Sequence, residues 1–337
     1  MIENHYDYCV EIHSKEDGLI AKCRMNIDWA PAVEDALWRG ICLGVLDAFH
    51  PDGDIAIEPS FDPELQAPYI AGFSIRLPIA NHPFSVEFNS QYFWMQLYPL
   101  TSLLHQQNQS GDKNAYYYQF FAMKKSSFVE TETKSSIKIK ALEPAFSMIS
   151  IDLQSYREKS ESVDNPQKEF PVFIRRTVLD ECIEQSKEAG SLEIGGVLLG
   201  SVGKDKDETF LEITHQIPVQ SPGTLNKLEF KPETWEYMRW KVQQRGVQGD
   251  WIGWWHTHSY LKDVCHKCEK YKTNSCHAGS LFFSTDDYAV QRTVFPRAYS
   301  VALVIGESPC AGLQYGLWGW RKGLMERRGF YVLDSNA

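Results

Sequence analysis

Residues 251–258 read Trp-Ile-Gly-Trp-Trp-His-Thr-His, and this stretch decides how the second half of the chain is interpreted. Aromatic and β-branched residues favour a strand, in which side chains two residues apart point to the same face. His256 and His258 would then present two imidazole rings side by side, as a pair of metal ligands. Because a histidine pair of this spacing also arises by chance, the pair alone is a weak signal.

A second polar cluster follows the apolar residues 281–283 and begins at Ser284. A Ser-Thr-Asp-Asp run before a helix-forming segment is typical of a helix N-terminus, where residues three apart share one face. Asp287 would therefore lie beside Ser284 and could supply an oxygen ligand. Two imidazole nitrogens and one carboxylate leave the fourth position of a tetrahedral zinc ion open to water, as in a catalytic site.

A hydrolytic zinc site also needs a general base, and Glu193 is the candidate. It precedes the apolar run Ile-Gly-Gly-Val-Leu-Leu-Gly at 194–200, which predicts a strand whose backbone approaches its neighbours closely. The three segments thus contain a base, a histidine pair and a carboxylate, in that order along the chain.

Together these segments resemble the JAMM family of zinc metalloproteases, also named MPN-plus or JAB. The resemblance covers about Val172 to Trp320. Two features differ from the usual family pattern: Ser259 replaces the proline after the second histidine, and residues 259–281 form a longer insert. The resemblance depends on three motifs: Glu193-x-x-Gly196-x-Leu198-x-Gly200, Gly253-Trp254-Trp255-His256-Thr257-His258, and Phe282-x-Ser284-x-x-Asp287.

The resemblance implies a role for each residue of the site. His256, His258 and Asp287 would bind a catalytic zinc ion. Glu193 would act as the general base that later protonates the leaving amine. Ser284 would donate a hydrogen bond to the developing oxyanion; alternatively it is only the helix N-cap, and it can do both.

The resemblance also implies a substrate class. Family members cleave isopeptide or peptide bonds that follow the C-terminal tail of ubiquitin or a ubiquitin-like protein, so deconjugation or precursor processing is expected. A bacterial ubiquitin-like pathway is the expected setting, with such conjugates as substrates and E1- or E2-like proteins as further partners. Two alternatives are a non-catalytic MPN scaffold in a larger complex and a zinc hydrolase of a small amide or carrier-protein tail.

The insert contains a second cluster of soft ligands. Its members are three cysteines and two histidines: Cys265, His266, Cys268, Cys276 and His277. Their spacing predicts a structural zinc site formed by the three cysteines with His277, or with His266 in its place. The alternative is a loop with free thiols.

The chain divides into two predicted domains. Residues 1–155 contain an amphipathic helix and several short β-like runs, among them 92–100 and 137–142, and predict an α+β domain with a mainly antiparallel sheet. This domain resembles no accessory domain that we recognise. The charged, proline-containing stretch 156–169 predicts a linker. Residues 170–330 predict the JAMM/MPN domain, a mixed sheet flanked by helices.

The amino-acid composition limits the classes of partner that the protein is expected to bind. The 337 residues carry a formal net charge of −10, concentrated in the N-terminal half, and a surface of this sign repels the phosphates of nucleic acid. The sequence has neither an apolar run of membrane-spanning length nor an apolar leader at its N-terminus. We therefore expect a cytoplasmic protein without a nucleic-acid or membrane partner.

Overall fold

The computed structural model divides into two compact units, Met1–Phe146 with Lys322–Leu324, and Ser147–Arg321 with Met325–Ala337. Among the helices that are described, none has the length and apolar character needed to cross a membrane. The described residues are 2–14, 18–46, 53–79, 84–94, 96–97, 116–125, 148–166, 170–190, 192–206, 208–219, 232–247, 249–258, 281–308 and 312–334.

The N-terminal unit is an α+β structure with two small sheets. Strands β1, β4, β5 and β6 form the first sheet in that order, and β3, β2 and β7 form the second. All neighbours are antiparallel except β1 and β4. The elements are β1 (Ile2–Asn4), β2 (Tyr6–Ser14), β3 (Gly18–Arg24), α1 (Ala30–Cys42), β4 (Ile55–Phe61), β5 (Ile70–Leu77), β6 (Phe84–Asn89) and β7 (Tyr116–Lys124). The predicted α+β fold with a mainly antiparallel sheet is confirmed.

The prediction of a strand at 92–100 was wrong, because residues 91–94 and 96–97 are helical. Tyr92 and Phe93 are buried and pack on Phe73, with ring centroids 5.1 and 5.4 Å apart. Leu97 is also buried, so the apolar positions follow one face of a helix. Tertiary packing of aromatic rings has overridden their local preference for strands. The other predicted strand, 137–142, lies outside the described residues.

The C-terminal unit is built on one mixed sheet of ten strands, in the order β16-β15-β14-β13-β11-β12-β10-β17-β9, with β8 beside β11. Strand β10 runs parallel to β12 and β17, and β13 runs parallel to β14. The elements are β8 (Met148–Ser150), α2 (Leu153–Glu158), β9 (Ser160–Val163), β10 (Val172–Arg175), α3 (Arg176–Ala189), β11 (Gly195–Asp205), β12 (Glu208–Pro218), α4 (Pro232–Arg245), β13 (Asp250–His258), α5 (Thr285–Val294), β14 (Val301–Ser308), β15 (Gly312–Arg321), β16 (Leu324–Arg328) and β17 (Phe330–Leu333). The predicted mixed sheet with helices is confirmed.

Within the stretch 156–169, which was expected to be a linker, residues 160–163 form strand β9 of the C-terminal unit's sheet. Strand β9 pairs antiparallel with β17, and the preceding helix α2 is capped by the Asp152 side chain. Charged side chains of β9 lie at the surface, where Glu161 forms an ion pair with Arg176 at 3.1 Å. An edge strand needs few apolar residues, which is why composition alone suggested a linker.

Strand β13 lies in the interior of this sheet, with β11 on one side and β14 on the other. Its Trp254 and Trp255 are almost fully buried. Gly253 lies so close to β14 that an added Cβ atom would stand 2.1 Å from the carbonyl oxygen of Val301. A glycine is therefore required for the two strands to pair at this register.

The replacement Gly253→Ala is expected to lower the free energy of unfolding by about 2–4 kcal/mol, because a methyl group collides with backbone that cannot yield. Gly246→Ala is the control: its Cβ meets open space, and only its positive φ of 61° carries a cost, of about 1 kcal/mol. Urea unfolding followed by tryptophan fluorescence measures both. Equal losses would contradict the close-approach argument.

Candidate metal centre

Strand β13 positions the two histidines. Because side chains alternate along a strand, His256 and His258 lie on one face and Trp255 on the other. The indole N–H of Trp255 donates to Gln216 Oε1 at 3.3 Å and so anchors that opposite face. The two Nε2 atoms of the histidines are 3.1 Å apart, and the residues are only 2% and 8% exposed.

Helix α5 positions Asp287. Ser284 is its N-cap, and the two residues form a capping box: the Asp287 N–H donates to Ser284 Oγ at 3.1 Å, and the Ser284 N–H donates to Asp287 Oδ2 at 2.7 Å. The same carboxylate places Oδ1 3.1 Å from His256 Nε2 and Oδ2 3.3 Å from His258 Nε2. The local motif that starts the helix thus also orients the carboxylate toward the histidines.

The three side chains have the donor set of a metal centre. One ligand atom from each of His256, His258 and Asp287 lies within 4.8 Å of the others, and all three residues are buried. Among the residues that the structure describes, they are the one such group of three or more. Two nitrogens and one carboxylate fit a tetrahedral zinc ion with an open position.

The protonation states also fit a cation. Burial lowers the pKa of His256 and so favours the neutral imidazole, which is the form that binds metals. Burial alone would raise the pKa of Asp287, but hydrogen bonds from His256, His258 and the Ser284 backbone hold that pKa far below its usual range. A neutral imidazole beside an ionised carboxylate leaves a local negative charge, which a divalent cation would balance.

Aromatic rings fix the orientation of both imidazoles. Trp254 stacks on His256 with ring centroids 4.4 Å apart and an angle of 12°, and Phe282 lies 4.2 Å from His258. The indole N–H of Trp254 donates to Gln291 Oε1 at 2.8 Å. Sequence analysis missed Gln291, although its position one helical turn after Asp287 places both on one face of α5.

Glu193 lies just before β11 and lines the same cleft as the three candidate ligands. The cleft has a volume of about 430 Å³, and Ser284 and Asp286 also line it. As an N-cap, the Ser284 hydroxyl accepts a hydrogen bond through its oxygen, which leaves its proton available to donate. The two roles considered for Ser284 are therefore compatible.

The second predicted metal site falls outside the described residues. Its candidate ligands, Cys265, His266, Cys268, Cys276 and His277, all lie in the segment 259–280. The structural zinc ion in the insert stays a prediction.

Comparison with known proteins finds one family similarity, in the C-terminal part of the chain. Residues 170–274 match the family model described as JAB1/Mov34/MPN/PAD-1 ubiquitin protease. No curated protein matches the chain. Among solved structures, the solution structure of protein DSY2949 from Desulfitobacterium hafniense is 15% identical, covers 49% of this chain and 94% of its own, and has a TM-score of 0.32. The family match includes Glu193, His256 and His258. Residues 170–274 are therefore similar to the JAB/MPN family, whereas Ser284 and Asp287 lie beyond the matched residues.

Proposed function

We propose that this protein is a zinc-dependent peptidase or isopeptidase that cleaves after the C-terminal tail of ubiquitin or a ubiquitin-like protein. The observation that carries the proposal is the convergence of His256, His258 and Asp287, with Glu193 and Ser284 in the same cleft. Residues 170–274, which include Glu193 and both histidines, match the JAB/MPN family model. The alternative is a non-catalytic MPN scaffold. A scaffold would not require a buried set of metal ligands, whose burial costs free energy.

Each of these side chains would have a separate role in amide hydrolysis. A zinc ion held by the three ligands would supply a Lewis acid and lower the pKa of its bound water toward neutrality. Glu193 would accept the proton from the attacking water and pass it to the leaving amine. The Ser284 hydroxyl would donate to the oxygen of the scissile carbonyl as negative charge develops there.

The charges of the residues that line the cleft favour a peptide substrate over a phosphate ester. Among the described residues that line it, none is a lysine or arginine, whereas Glu193 and Asp286 add carboxylates to that of Asp287. A phosphate group would meet repulsion at such a surface. Trp254, Phe282 and other apolar residues form the remaining wall, which suits an uncharged peptide backbone.

A ubiquitin-like partner is proposed from the family description, and the setting would be a bacterial conjugation pathway with E1- or E2-like proteins. A zinc hydrolase of a small amide is the second candidate of the enzyme class. The two differ in the substrate that they require, because only the deconjugase gains rate from the folded body of a ubiquitin-like protein.

The first prediction from this proposed function concerns the reaction. Purified protein should release a fluorogenic amine from the C-terminus of ubiquitin, or of a ubiquitin-like protein encoded beside its gene. Removal of zinc with a chelator should lower the rate by about 10²-fold or more, and zinc should restore it. A protein that holds zinc and cleaves none of these amides would contradict the proposal. If the short tail peptide alone were cleaved as fast as the whole ubiquitin-like protein, the small-amide hydrolase would be favoured.

The second prediction separates the base from the ligands. Glu193→Gln keeps the shape of the side chain but cannot accept a proton, so turnover should fall by about 10²- to 10⁴-fold while zinc stays bound. His256→Ala should lose the zinc ion itself, because two remaining ligands hold it poorly. Turnover and zinc content are measured for both, with Glu184→Gln, an exposed glutamate of α3, as the charge-matched control. A Glu193→Gln protein that turns over within a few-fold of wild type refutes the assignment.

The third prediction concerns Ser284. Ser284→Ala should retain zinc and lose about 10²- to 10³-fold in turnover if the hydroxyl serves the oxyanion. If Ser284 is only a cap, the loss should be mainly in stability, about 1 kcal/mol. Ser284→Thr keeps a hydroxyl and is the matched control. Turnover, zinc content and thermal unfolding distinguish the two roles.

A further inference from the structure

We propose that Thr257 is a positioning residue that holds the general base Glu193 in register with the metal ligands. This inference rests on the proposed function. Thr257 stands between the two histidines in sequence, is 4% exposed, and has its side chain on the opposite face of β13 from theirs. It therefore cannot act as a ligand and must act through other groups.

The contacts of Thr257 converge on the backbone on both sides of Glu193. Its Oγ1 accepts a hydrogen bond from the Ile194 N–H at 3.0 Å and donates to the Leu192 carbonyl oxygen at 3.3 Å. Its own backbone N–H donates to the Ile194 carbonyl oxygen at 2.8 Å. One residue thus ties the segment before and after the base to the strand that carries the ligands.

The Thr257 hydroxyl is needed because the regular pairing between β11 and β13 does not extend as far as Glu193. The ladder between β11 and β13 ends at the pair Gly195 and His256, and Glu193 lies beyond it. Without the hydroxyl, this segment would keep the bond from the Thr257 N–H to the Ile194 carbonyl oxygen but lose the two bonds made through Thr257 Oγ1. The Ile194 N–H would also lose its acceptor. Small displacements of a catalytic group cost rate steeply, so a mobile carboxylate would be a poor base.

A hydroxyl that only satisfied buried backbone groups would contribute to stability and leave the chemistry unchanged. The two roles separate in variants that retain the fold. Thr257→Val keeps the shape and removes the hydroxyl, whereas Thr257→Ser keeps the hydroxyl. Thr209→Val is the matched control, because Thr209 is a buried threonine of the same sheet whose Oγ1 has no hydrogen-bond partner among the described residues.

The expected result is a specific loss of turnover. Thr257→Val should keep one catalytic zinc ion and its KM within about threefold, but lose about 10- to 100-fold in kcat. Thr257→Ser and Thr209→Val should stay within about threefold of wild type. Hydrogen exchange at the Ile194 amide should be faster in Thr257→Val alone, which tests the contact without any substrate.

Combining the change with Glu193→Gln tests whether Thr257 acts through the base. In that background Thr257→Val should cost less than about threefold further, since the group that it positions is already disabled. A full additional loss, a loss of zinc in Thr257→Val, or unchanged kcat and unchanged exchange at Ile194 would each overturn the inference. If Glu193→Gln itself remains active, the proposed base is wrong, which is a separate failure.

Discussion

Two histidine nitrogens 3.1 Å apart and a carboxylate within hydrogen-bond distance of both form the constraint on which the C-terminal unit depends. Polar and ionised groups of this kind are costly to bury unless each is paired. The Asp287 carboxylate accepts hydrogen bonds from the Ser284 backbone and from both imidazole rings, which offset part of this cost. A cation at their common point would balance the remaining charge, and this is why the arrangement suits a metal centre better than a packed core.

The rest of the unit holds these three side chains in place from two directions. Strand β13 is confined between β11 and β14, and glycines allow the backbones to approach where any larger residue would collide. Helix α5 is tied to β13 through Gln291, which accepts from Trp254, and Trp254 in turn stacks on His256. A change at the helix would therefore be transmitted to the orientation of a candidate ligand.

The base side of the cleft depends on a smaller set of contacts. Glu193 precedes its strand, and the Thr257 hydroxyl reaches the backbone on both sides of it. The strand that presents the ligands would thereby also set the distance to the base. A site of this design would keep its geometry through main-chain hydrogen bonds, which are less variable than contacts between flexible side chains.

The sequence by itself determined the direction of the site's side chains. Alternation along a strand placed both histidines on one face, and the spacing of Ser284 and Asp287 placed both on the first turn of a helix. These are local properties, because the residues concerned are only two or three positions apart in the chain. The order of the motifs was also enough to indicate the JAB/MPN family.

Only the tertiary structure decided which elements meet. The bond between Ile194 and Thr257 joins residues 63 positions apart, and no periodicity in the chain predicts it. The helical residues 91–94 and 96–97 were missed because their aromatic side chains favour a strand until they pack on Phe73. Strand β9 was missed because an edge strand needs little apolar sequence. Local preference gives the direction of a side chain, whereas its partner is selected by burial and packing across the whole unit.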